Sequence, residues 1–584
     1  MESAKQDLSF RNEFAPQHFL NEIEKIPMPH SQDDEELNSN GEDHEQNTHV
    51  TLNSNIISGV IPSPNQPDMV TIKKVLKPLI DELIELNCGV KIITPNHPRG
   101  RYVVVKLVGL VGDIVASHKA GGFMSHSAKY FCSWCEMKDI ERTHLKLGKP
   151  RKRNAVLIAS RRWQEAKTKT AQQRLEQYCG IQWSEINHSP YWDSFKNICL
   201  EKEKHQPGIS GYESNELMEN CTQSKNEDNL TISGYLPQEV INKLKKQLSK
   251  VVVPKGVCHL PGGIGTARNG KLKGNEWSVL FNIYLPLTVL EIFWDLGPKN
   301  HLVLINIGAL IQCTKIVGAQ WVTEDNGHLF RKAYDTYQNT SKALFPNCWT
   351  LPNHHYAMHI PEQLSRWGPL NGISEYGGER LVGILQKIKT NSLQGATEET
   401  MMKKFGQLQR LQQVNPQLNL IQLMKTKSPI VNSKALDDKS YLNILQHLQK
   451  EQPHLRYYRK IPHPPQRRPN NLIYSKKGEK GIQFGYISHI LDLGNEDIHE
   501  GPIVMVHWLR SVKKCKEGFE GVEEFLDQWG VQHLKKTYLF GFMSVADICG
   551  LAAYIDMRAW SLGCKNIMLL ACRIDKLVGL EQFE

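Results

Sequence analysis

The sequence predicts an α/β protein, because runs with the period of a helix alternate along it with runs typical of β-strands. The strongest strand signal is YVVVKLVGLVGD, an apolar, Val-rich run that predicts a buried strand ending at Asp113. The strongest helix signal precedes it in MVTIKKVLKPLIDELIEL, where Pro78 predicts a break or a helix start. Near the C-terminus, IQFGYISHILDL and PIVMVHWL alternate apolar and polar residues, which predicts further strands.

The other elements follow in chain order. VKIITP predicts a strand, and residues 95–101 predict a turn before the Val-rich run. LPQEVINKLKKQLSK predicts a helix that ends before Pro254. Residues 276–317 are apolar and aromatic, which predicts two packed helices broken near Gly297 and Pro298. EETMMKKFGQLQRLQQV predicts another helix.

These elements predict four regions. Residues 1–55 are acidic and polar, which predicts a disordered tail. Residues 56–390 form the expected core, with a basic and helical insertion at about 138–350. Residues 391–455 form a helical extension, and residues 456–584 follow the Pro-rich link RKIPHPPQRRPNN as a small β-rich module.

Charge is distributed unevenly along the chain. Residues 1–60 contain twelve acidic and three basic residues, whereas the whole chain carries +10, so the remaining residues carry +19. A basic body beside an acidic tail suits a polyanionic partner such as nucleic acid, although a solvated basic surface has the same composition. Basic residues are concentrated between residues 138 and 174, where they could neutralise phosphates: Lys146, Lys149, Arg151, Lys152, Arg153, Arg161, Arg162, Lys167 and Lys169.

Composition also bears on the compartment. No apolar run of about 18 residues stands out, and the N-terminus lacks the layout of a secretory signal, so we expect no membrane partner. The thirteen cysteines are odd in number and mostly isolated, which fits a reducing compartment better than a disulfide framework.

Two cysteines and two histidines have the spacing of zinc ligands. Cys132 and Cys135 form a C-x2-C pair, and His359 follows His355 at H-x3-H spacing and His354 at H-x4-H spacing. Thiolates and imidazoles are the ligands that tetrahedral Zn²⁺ prefers, and either histidine is acceptable beside His359. Two free thiols near a turn would give the same C-x2-C pair, so the histidines decide the prediction.

A carboxylate lies outside each half of this predicted zinc site. Asp113 lies 19 residues before Cys132, and Glu379 lies 20 residues after His359, with Glu375 as a local alternative. A zinc ion that joins the two halves could bring Asp113 and Glu379 together. Carboxylates that share Mg²⁺ ions are what phosphodiester chemistry requires, although Glu379 alone would be an ordinary surface carboxylate.

Four segments together resemble the transposases of the CACTA (En/Spm) type, in the form common in fungal genomes. The resemblance covers roughly residues 55–425, and the combined order of the segments is more specific than any one of them. The segments are IPSPNQPDMVTIKKVLKPLIDELIEL, GLVGDIVASHKAGGFMSHSAKYFCSWC, NGKLKGNEWSVLFNIYLPL and MHIPEQLSRWGPLNGISEYGGERLVGILQK. The zinc and carboxylate layout is also similar to that of the V(D)J recombinase catalytic subunit.

The resemblance implies an RNase H-like transposase core with a large α-helical insertion, and a DDE triad that cuts and transfers DNA strands. Asp113 would be the second Asp and Glu379 the Glu of the triad, holding Mg²⁺ or Mn²⁺. The implied structural zinc ligands are Cys132, Cys135, His359 and either His354 or His355. The implied partners are transposon ends and target DNA in the nucleus, and the oligomeric state stays open, a homo-oligomer included.

One departure from the family concerns its first catalytic Asp, which lies on the first strand of the core. The upstream residues Asp33, Asp34 and Asp43 lie in polar sequence, and Asp68 and Asp81 lie in the segment that should follow that strand. We therefore expect a truncated, transposase-derived protein in which the loss of the first Asp severely reduces strand cleavage and transfer, and its enzymatic activity stays open. The alternative is a DNA-binding or chromatin-associated relic that carries out no chemistry.

Overall fold

The computed structural model describes a set of segments separated by short and long gaps. The described residues are 68–94, 97–199, 238–262, 264, 272–295, 300–346, 350–373, 376–390, 396–414, 442–443, 445–446, 449, 472–476, 481–491, 503–512, 521–557 and 568–574. The predicted tail at residues 1–55 lies outside them. The chain divides into two compact units: Met1–Leu107, Ser184–Asp193 and Ile388–Gln407 form the first, and Val108–Trp183, Ser194–Lys387 and Leu408–Glu584 form the second.

The first unit contains a long helix and a hairpin. Helix α1, Met69–Asn87, begins where the Asp68 carboxylate accepts a hydrogen bond from the amide of Thr71 at 2.8 Å. Pro78 lies inside α1, so the predicted break is wrong. Strands β1, Val90–Thr94, and β2, His97–Val103, pair antiparallel, which confirms the VKIITP strand but assigns residues 97–101 to β2 rather than to a turn.

The predicted buried strand that ends at Asp113 is not formed. Strand β2 ends at Val103, and the residues after it are irregular, with Val108 64% exposed. Asp113 is instead the N-cap of helix α2, Ile114–Gly121, where its carboxylate accepts a hydrogen bond from the amide of Ala116 at 2.6 Å. A Val-rich run forms a strand only where neighbouring strands pair with it. Among the described residues, the run after Val103 has one isolated parallel bridge, between Leu110 and Ile198.

The second unit is largely helical before its C-terminal strands. Its helices after α2 are α3 Arg153–Glu165, α4 Lys169–Cys179, α5 Ser194–Asn197, α6 Gln238–Leu248, α7 Gly274–Val279, α8 Leu285–Asp295, α9 His301–Gly318, α10 Asp325–Leu344, α11 Pro352–Ala357, α12 Ile360–Trp367 and α13 Tyr376–Lys387. A further helix, α14 Thr397–Val414, spans a boundary between the units. The predicted helices before Pro254, within residues 276–317 and in EETMMKKFGQLQRLQQV are confirmed.

Two helical segments are long and apolar enough to cross a membrane by length and composition. They are Gly274–Trp294, with a mean hydropathy of 1.4, and His301–Gly318, with 1.5, so the prediction that no such run exists is wrong. Of the two windows, 78% and 50% is buried inside the protein. Burial of this extent favours core helices over membrane spans.

The C-terminal strands form a closed antiparallel barrel, which confirms the two alternating segments as strands. Its order is β3-β4-β5-β6-β8-β7, with helix α15, Val522–Gln528, between β5 and β6. The strands are β3 Leu472–Lys476, β4 Ile482–Leu491, β5 Ile503–Ser511, β6 Val531–Ser544, β7 Ile548–Asp556 and β8 Leu569–Arg573. Helices and sheets are thus both present, as an α/β class requires, and the two described sheets are this barrel and the β1–β2 hairpin.

The barrel is joined to the helices of the same unit through backbone and side chain. Val252, four residues after α6, exchanges two backbone hydrogen bonds with Tyr554 of β7, at 2.8 and 3.0 Å. Trp529 is fully buried against Gly308 of α9, where an added Cβ would lie 2.8 Å from the indole nitrogen. The absence of a side chain at Gly308 therefore makes room for the indole.

Candidate metal centre

Four buried side chains converge in the second unit. Ligand atoms of Cys132, Cys135, His355 and His359 all lie within 4.8 Å of one another. The Cys132 sulfur is 3.5 Å from Nε2 of His359, and the Cys135 sulfur is 3.1 Å from Nε2 of His355. Around a tetrahedral Zn²⁺, bond lengths of about 2.0–2.3 Å place such ligand atoms about 3.3–3.8 Å apart. The set therefore fits a metal ion such as zinc.

The cysteine pair lies in a tight loop that a second segment holds in place. The amide of Glu136 donates to the carbonyl of Lys149, and the backbones of Cys135 and Pro150 form an isolated antiparallel bridge. Gly148 lies against this loop, where an added Cβ would be 2.8 Å from the amide nitrogen of Met137. The loop thus directs both sulfur atoms inward by backbone pairing, before any metal is considered.

The histidine pair lies on two consecutive short helices. His355 belongs to the last turn of α11, and His359 is the N-cap residue of α12. Between them, the hydroxyl of fully buried Tyr356 donates to the carbonyl of Phe131 at 2.9 Å. That hydrogen bond joins the histidine segment to the residue directly before Cys132, and so brings the two halves of the site into register.

The structure decides between the two candidate histidines in favour of His355. Nδ1 of His354 accepts a hydrogen bond from the amide of Leu351 at 3.0 Å, which closes the first turn of α11, and His354 is not in the cluster. Successive helical residues point about 100° apart, so His354 and His355 cannot face one ion together. Burial lowers the pKa of His354 to about 4, so this ring is neutral at pH 7.

The pKa shifts within the cluster favour a thiolate at Cys135 and a neutral imidazole at His355, the forms that bind a metal cation. The hydrogen bond from the Cys132 thiol lowers the pKa of Cys135, and His355 contributes in the same direction, whereas burial raises the pKa of Cys132. Burial also lowers the pKa of His355, which keeps the ring neutral and able to bind a metal. One thiolate beside a neutral imidazole is already a soft donor set, and a bound metal ion would favour loss of the second thiol proton.

A carboxylate beside the cluster was not anticipated from the sequence. Glu362 lies one helical turn after His359, and its carboxylate is 3.7 Å from Nδ1 of His359. Burial alone would lower the pKa of His359, but the Cys135 thiolate and the Glu362 carboxylate together raise it. A carboxylate behind a metal-binding imidazole orients the ring, and the i, i+3 spacing of the two residues was a signal that could have identified it.

Arg151 has a structural role instead of the predicted contact with phosphate. Its side chain is 5% exposed, and it donates to the carbonyls of Cys132 at 3.0 Å and Cys179 at 3.1 Å. Its guanidinium also lies over the ring of Phe123 at 5.4 Å. Arg151 therefore links the cysteine loop to the C-terminal end of α4.

Several other basic residues of this region are exposed on a pair of helices. Helices α3 and α4 follow the cysteine loop and contact each other as a helical hairpin. Its exposed basic residues are Lys152, Arg161, Arg162, Lys167, Lys169 and Arg174. We call this set the basic hairpin.

Of the two candidate catalytic carboxylates, the structure describes the side chain of Asp113 alone. Asp113 is partly buried and caps α2, as described above. Glu379 lies in the first turn of α13, where the backbone but not this side chain is described, and Glu375 lies outside the described residues. Asp113 does not belong to the Cys₂His₂ cluster, and its pairing with Glu379 around Mg²⁺ or Mn²⁺ stays a prediction.

Comparison with known proteins adds no relative to these observations. No family model matches the chain. A search of curated proteins gives no match either. We therefore argue the function from the site and from the resemblance of the four segments.

Proposed function

We propose that this chain is a transposase-derived, DNA-binding protein whose central region is organised around a structural zinc ion. The observation that carries the proposal is the Cys₂His₂ cluster, which joins ligands 220 and 227 residues apart in the sequence. An arrangement with four protein ligands is typical of structural zinc, because a catalytic zinc keeps one position open for water or substrate. Segments that resemble CACTA-type transposases contribute three of the four ligands, Cys132, Cys135 and His359, which supports descent from an RNase H-like transposase core.

The basic hairpin is the proposed DNA contact. It begins two residues after Arg151, and the carbonyl of Cys179 at its other end accepts a hydrogen bond from the same guanidinium. Both ends are therefore tied to the cysteine loop, so the ion would fix the position of the exposed cations. Arginine and lysine side chains held on a rigid helix pair can neutralise successive phosphates, and DNA binding implies that the protein acts in the nucleus.

The chemistry of the ancestral form would be strand cleavage and transfer by a DDE site. Asp113 and Glu379 would hold Mg²⁺ or Mn²⁺, which when bound activates the attacking water or 3′-hydroxyl. The residues of this chain would position the DNA, and the basic hairpin would bind the DNA phosphate backbone. This is the enzymatic version of the proposal.

One observation favours the alternative, a DNA-binding protein that carries out no chemistry. The Asp113 carboxylate already accepts a hydrogen bond from the α2 amide of Ala116 at 2.6 Å, and the residue ends no strand. In this position Asp113 has a sufficient structural role as a helix cap. We therefore prefer the non-catalytic form of the proposal for the chain as it stands.

DNA binding is tested by the salt dependence of affinity for a duplex. The double variant Arg161→Gln, Arg162→Gln should weaken binding and reduce the slope of log K against log salt by about 2 if each side chain neutralises a phosphate. Lys243→Gln on α6 is the control, because Lys243 is an exposed cation on another helix, where it forms an ion pair with Glu239 at 3.2 Å. A slope that is flat in the unchanged protein, or equal in all three proteins, would exclude the basic hairpin as a phosphate-binding surface.

Catalysis is tested by nicking of supercoiled DNA in Mg²⁺ or Mn²⁺. Asp113→Asn keeps the oxygen that caps α2 but removes the carboxylate charge that a metal ion needs. The non-catalytic form predicts no nicking above background in the unchanged protein. Nicking that is lost in both Asp113→Asn and Glu379→Gln would instead establish the enzymatic form.

A further inference from the structure

Among the described residues of the barrel, the most exposed aromatic side chain lies in a bulge between β5 and β6. His507 pairs with Phe540 and Leu509 pairs with Lys536, so three residues of β6, 537–539, lie opposite the single residue Trp508. A β-bulge redirects side chains away from the regular alternation of a strand. Here it directs Tyr538 fully into solvent, at 102% exposure.

The bulge is a built feature, held by side-chain hydrogen bonds. The hydroxyl of Thr537 donates to the carbonyl of Trp508 at 2.6 Å and accepts from the amide of Leu539 at 3.1 Å. Gly541 follows, where an added Cβ would lie 2.9 Å from the indole nitrogen of Trp508. The backbone that presents Tyr538 is therefore fixed on both sides.

The residues around Tyr538 form one apolar surface. Leu539 is 69% exposed and Phe540 is 46% exposed. The ring of Phe540 packs at 6.2 Å from His507 and at 6.3 Å, edge to face, from Phe542. Contiguous exposed aromatic side chains on a folded domain commonly mark a binding surface. We call residues 538–540 the aromatic bulge.

Positive charge lies on the same two strands, at the end of the bulge nearer the N-terminus of β6. Arg510 of β5 and Lys535 of β6 are cross-strand partners, and both are exposed. Like charges directly opposite each other destabilise a strand pair, and an anion between them would offset that repulsion. The next residue, Lys536, forms an ion pair with Asp556 at 3.3 Å and lies 5.8 Å over the ring of Tyr486.

We propose that the aromatic bulge and the Arg510–Lys535 pair bind single-stranded DNA, with a base stacked on Tyr538 and a phosphate between the two cations. Stacking aromatics beside cations is the combination by which proteins bind single strands without reading their sequence. The choice of DNA over RNA rests on the function proposed above, whereas the stacking surface does not.

Two other occupants fit the surface less well. A second copy of this chain in a two-fold contact would bring the Arg510–Lys535 pairs of both copies into one interface and add to its positive charge. A duplex presents its bases edge-on and stacked, so it offers no free face to a protruding ring. A single strand satisfies both the ring and the cations.

The test measures binding of a fluorescein-labelled oligothymidine to the full chain by fluorescence anisotropy at low salt. Tyr538→Ala should weaken binding about tenfold, and Tyr538→Trp should restore it, with quenching of indole fluorescence on stacking. Trp321→Ala is the matched control, because Trp321 is 87% exposed and lies before the acidic pair Glu324 and Asp325. Its affinity should be unchanged.

Each outcome decides the proposal. Equal affinity of the unchanged protein and Tyr538→Ala would overturn it, as would equal losses in Tyr538→Ala and Trp321→Ala. Self-association or binding to anionic vesicles that depends on Tyr538, without an effect on oligothymidine, would also overturn it. Tighter binding of oligouridine than of oligothymidine would overturn the choice of DNA. The double variant of Arg161 and Arg162 separates the two proposals: it should weaken duplex binding and leave the contribution of Tyr538 intact.

Discussion

The metal centre and the β-barrel lie in the same compact unit, yet they are stabilised in opposite ways. The metal centre joins two short segments by four polar side chains, with Tyr356 and Arg151 holding the adjoining backbone. The barrel joins six strands by antiparallel ladders around apolar side chains, of which Val506 and Leu569 are fully buried. The first region could hold a metal ion, and the second encloses a continuous buried apolar cluster.

Because the two regions rest on different interactions, each can be ordered or disrupted separately within one chain. A cluster of thiols and imidazoles contributes little hydrophobic stabilisation, so its order follows the metal concentration. A closed barrel has few free edges and needs no cofactor. Variants should therefore affect one region while they leave the other folded.

Metal removal should have the largest effect. We expect one zinc per chain, with near-complete loss in Cys132→Ser and in His359→Ala, because structural zinc contributes apparent binding energies of about 10–16 kcal/mol. The measurements are zinc content by mass spectrometry and hydrogen exchange, in which residues 131–137 should lose protection while β5 keeps it. His354→Gln is the control and should keep its zinc. Full zinc occupancy in both ligand variants would exclude the site.

A cavity in the barrel should produce the reverse pattern. Leu569 is 0% exposed, so Leu569→Ala should lower the free energy of unfolding by about 2–5 kcal/mol through lost packing. Leu539→Ala, at a 69% exposed position, should change it by less than about 0.5 kcal/mol. Chemical denaturation gives both values, and zinc content should stay at one per chain. Zinc loss in Leu569→Ala would show that the two regions are not independent.

Acid should destabilise α11, which contains His354 and lies at the candidate metal centre. Burial lowers the folded-state pKa of His354 to about 4, below the value near 6.5 in an unfolded chain. Between these two values the unfolded state binds a proton that the folded state does not. The contribution of His354 to the free energy of unfolding is therefore constant above pH 6.5, and it falls by about 3 kcal/mol as the pH drops towards 4.

His354→Gln isolates this contribution. Gln at the same position can accept the hydrogen bond from the amide of Leu351 but does not titrate in this range. The difference in unfolding free energy between the two proteins should therefore grow on acidification from pH 6.5 to 4. Protonation of the four cluster side chains affects both proteins equally, so it does not contribute to this difference. A difference that is independent of pH would contradict the assignment.

The smallest expected effect concerns Asp113. Asp113→Ala removes the cap of α2 and should cost about 1 kcal/mol of unfolding free energy, whereas Asp113→Asn should cost much less. Thermal unfolding of the two variants compares them directly. Equal losses would show that the charge, rather than the capping oxygen, is what stabilises this region.

Local patterns explain what the sequence could predict. The C-x2-C and H-x3-H spacings are short, so ligand geometry could be inferred without the fold, and only the choice of His355 over His354 required the observed helix. The strand predicted to end at Asp113 was wrong because Asp113 and Gly122 are cap signals that flank α2, with Gly122 at a φ of 79°. Both cap signals are present in the sequence, but the strand prediction rested on the run of valines before them.

Nonlocal pairing explains what the sequence could not predict. The alternation in β4 and β5 identified strands, but the contacts of β3 with β7 and of β6 with β8 join segments far apart in the chain. Nothing in a strand's own residues specifies such partners. The role of Arg151 was missed for the same reason, since its acceptors are carbonyl groups that only the folded chain brings close.

The pairing of Val252 with Tyr554 has a practical consequence for dissecting this protein. An isolated fragment of residues 456–584 would lack Val252, so the amide and carbonyl of Tyr554 would lose their partners and Trp529 would lose its cover on Gly308. Exposed strand edges and uncovered indoles promote aggregation. A soluble fragment should therefore begin before α6, and insolubility of a shorter one would reflect where it was cut rather than a failure of the barrel to fold.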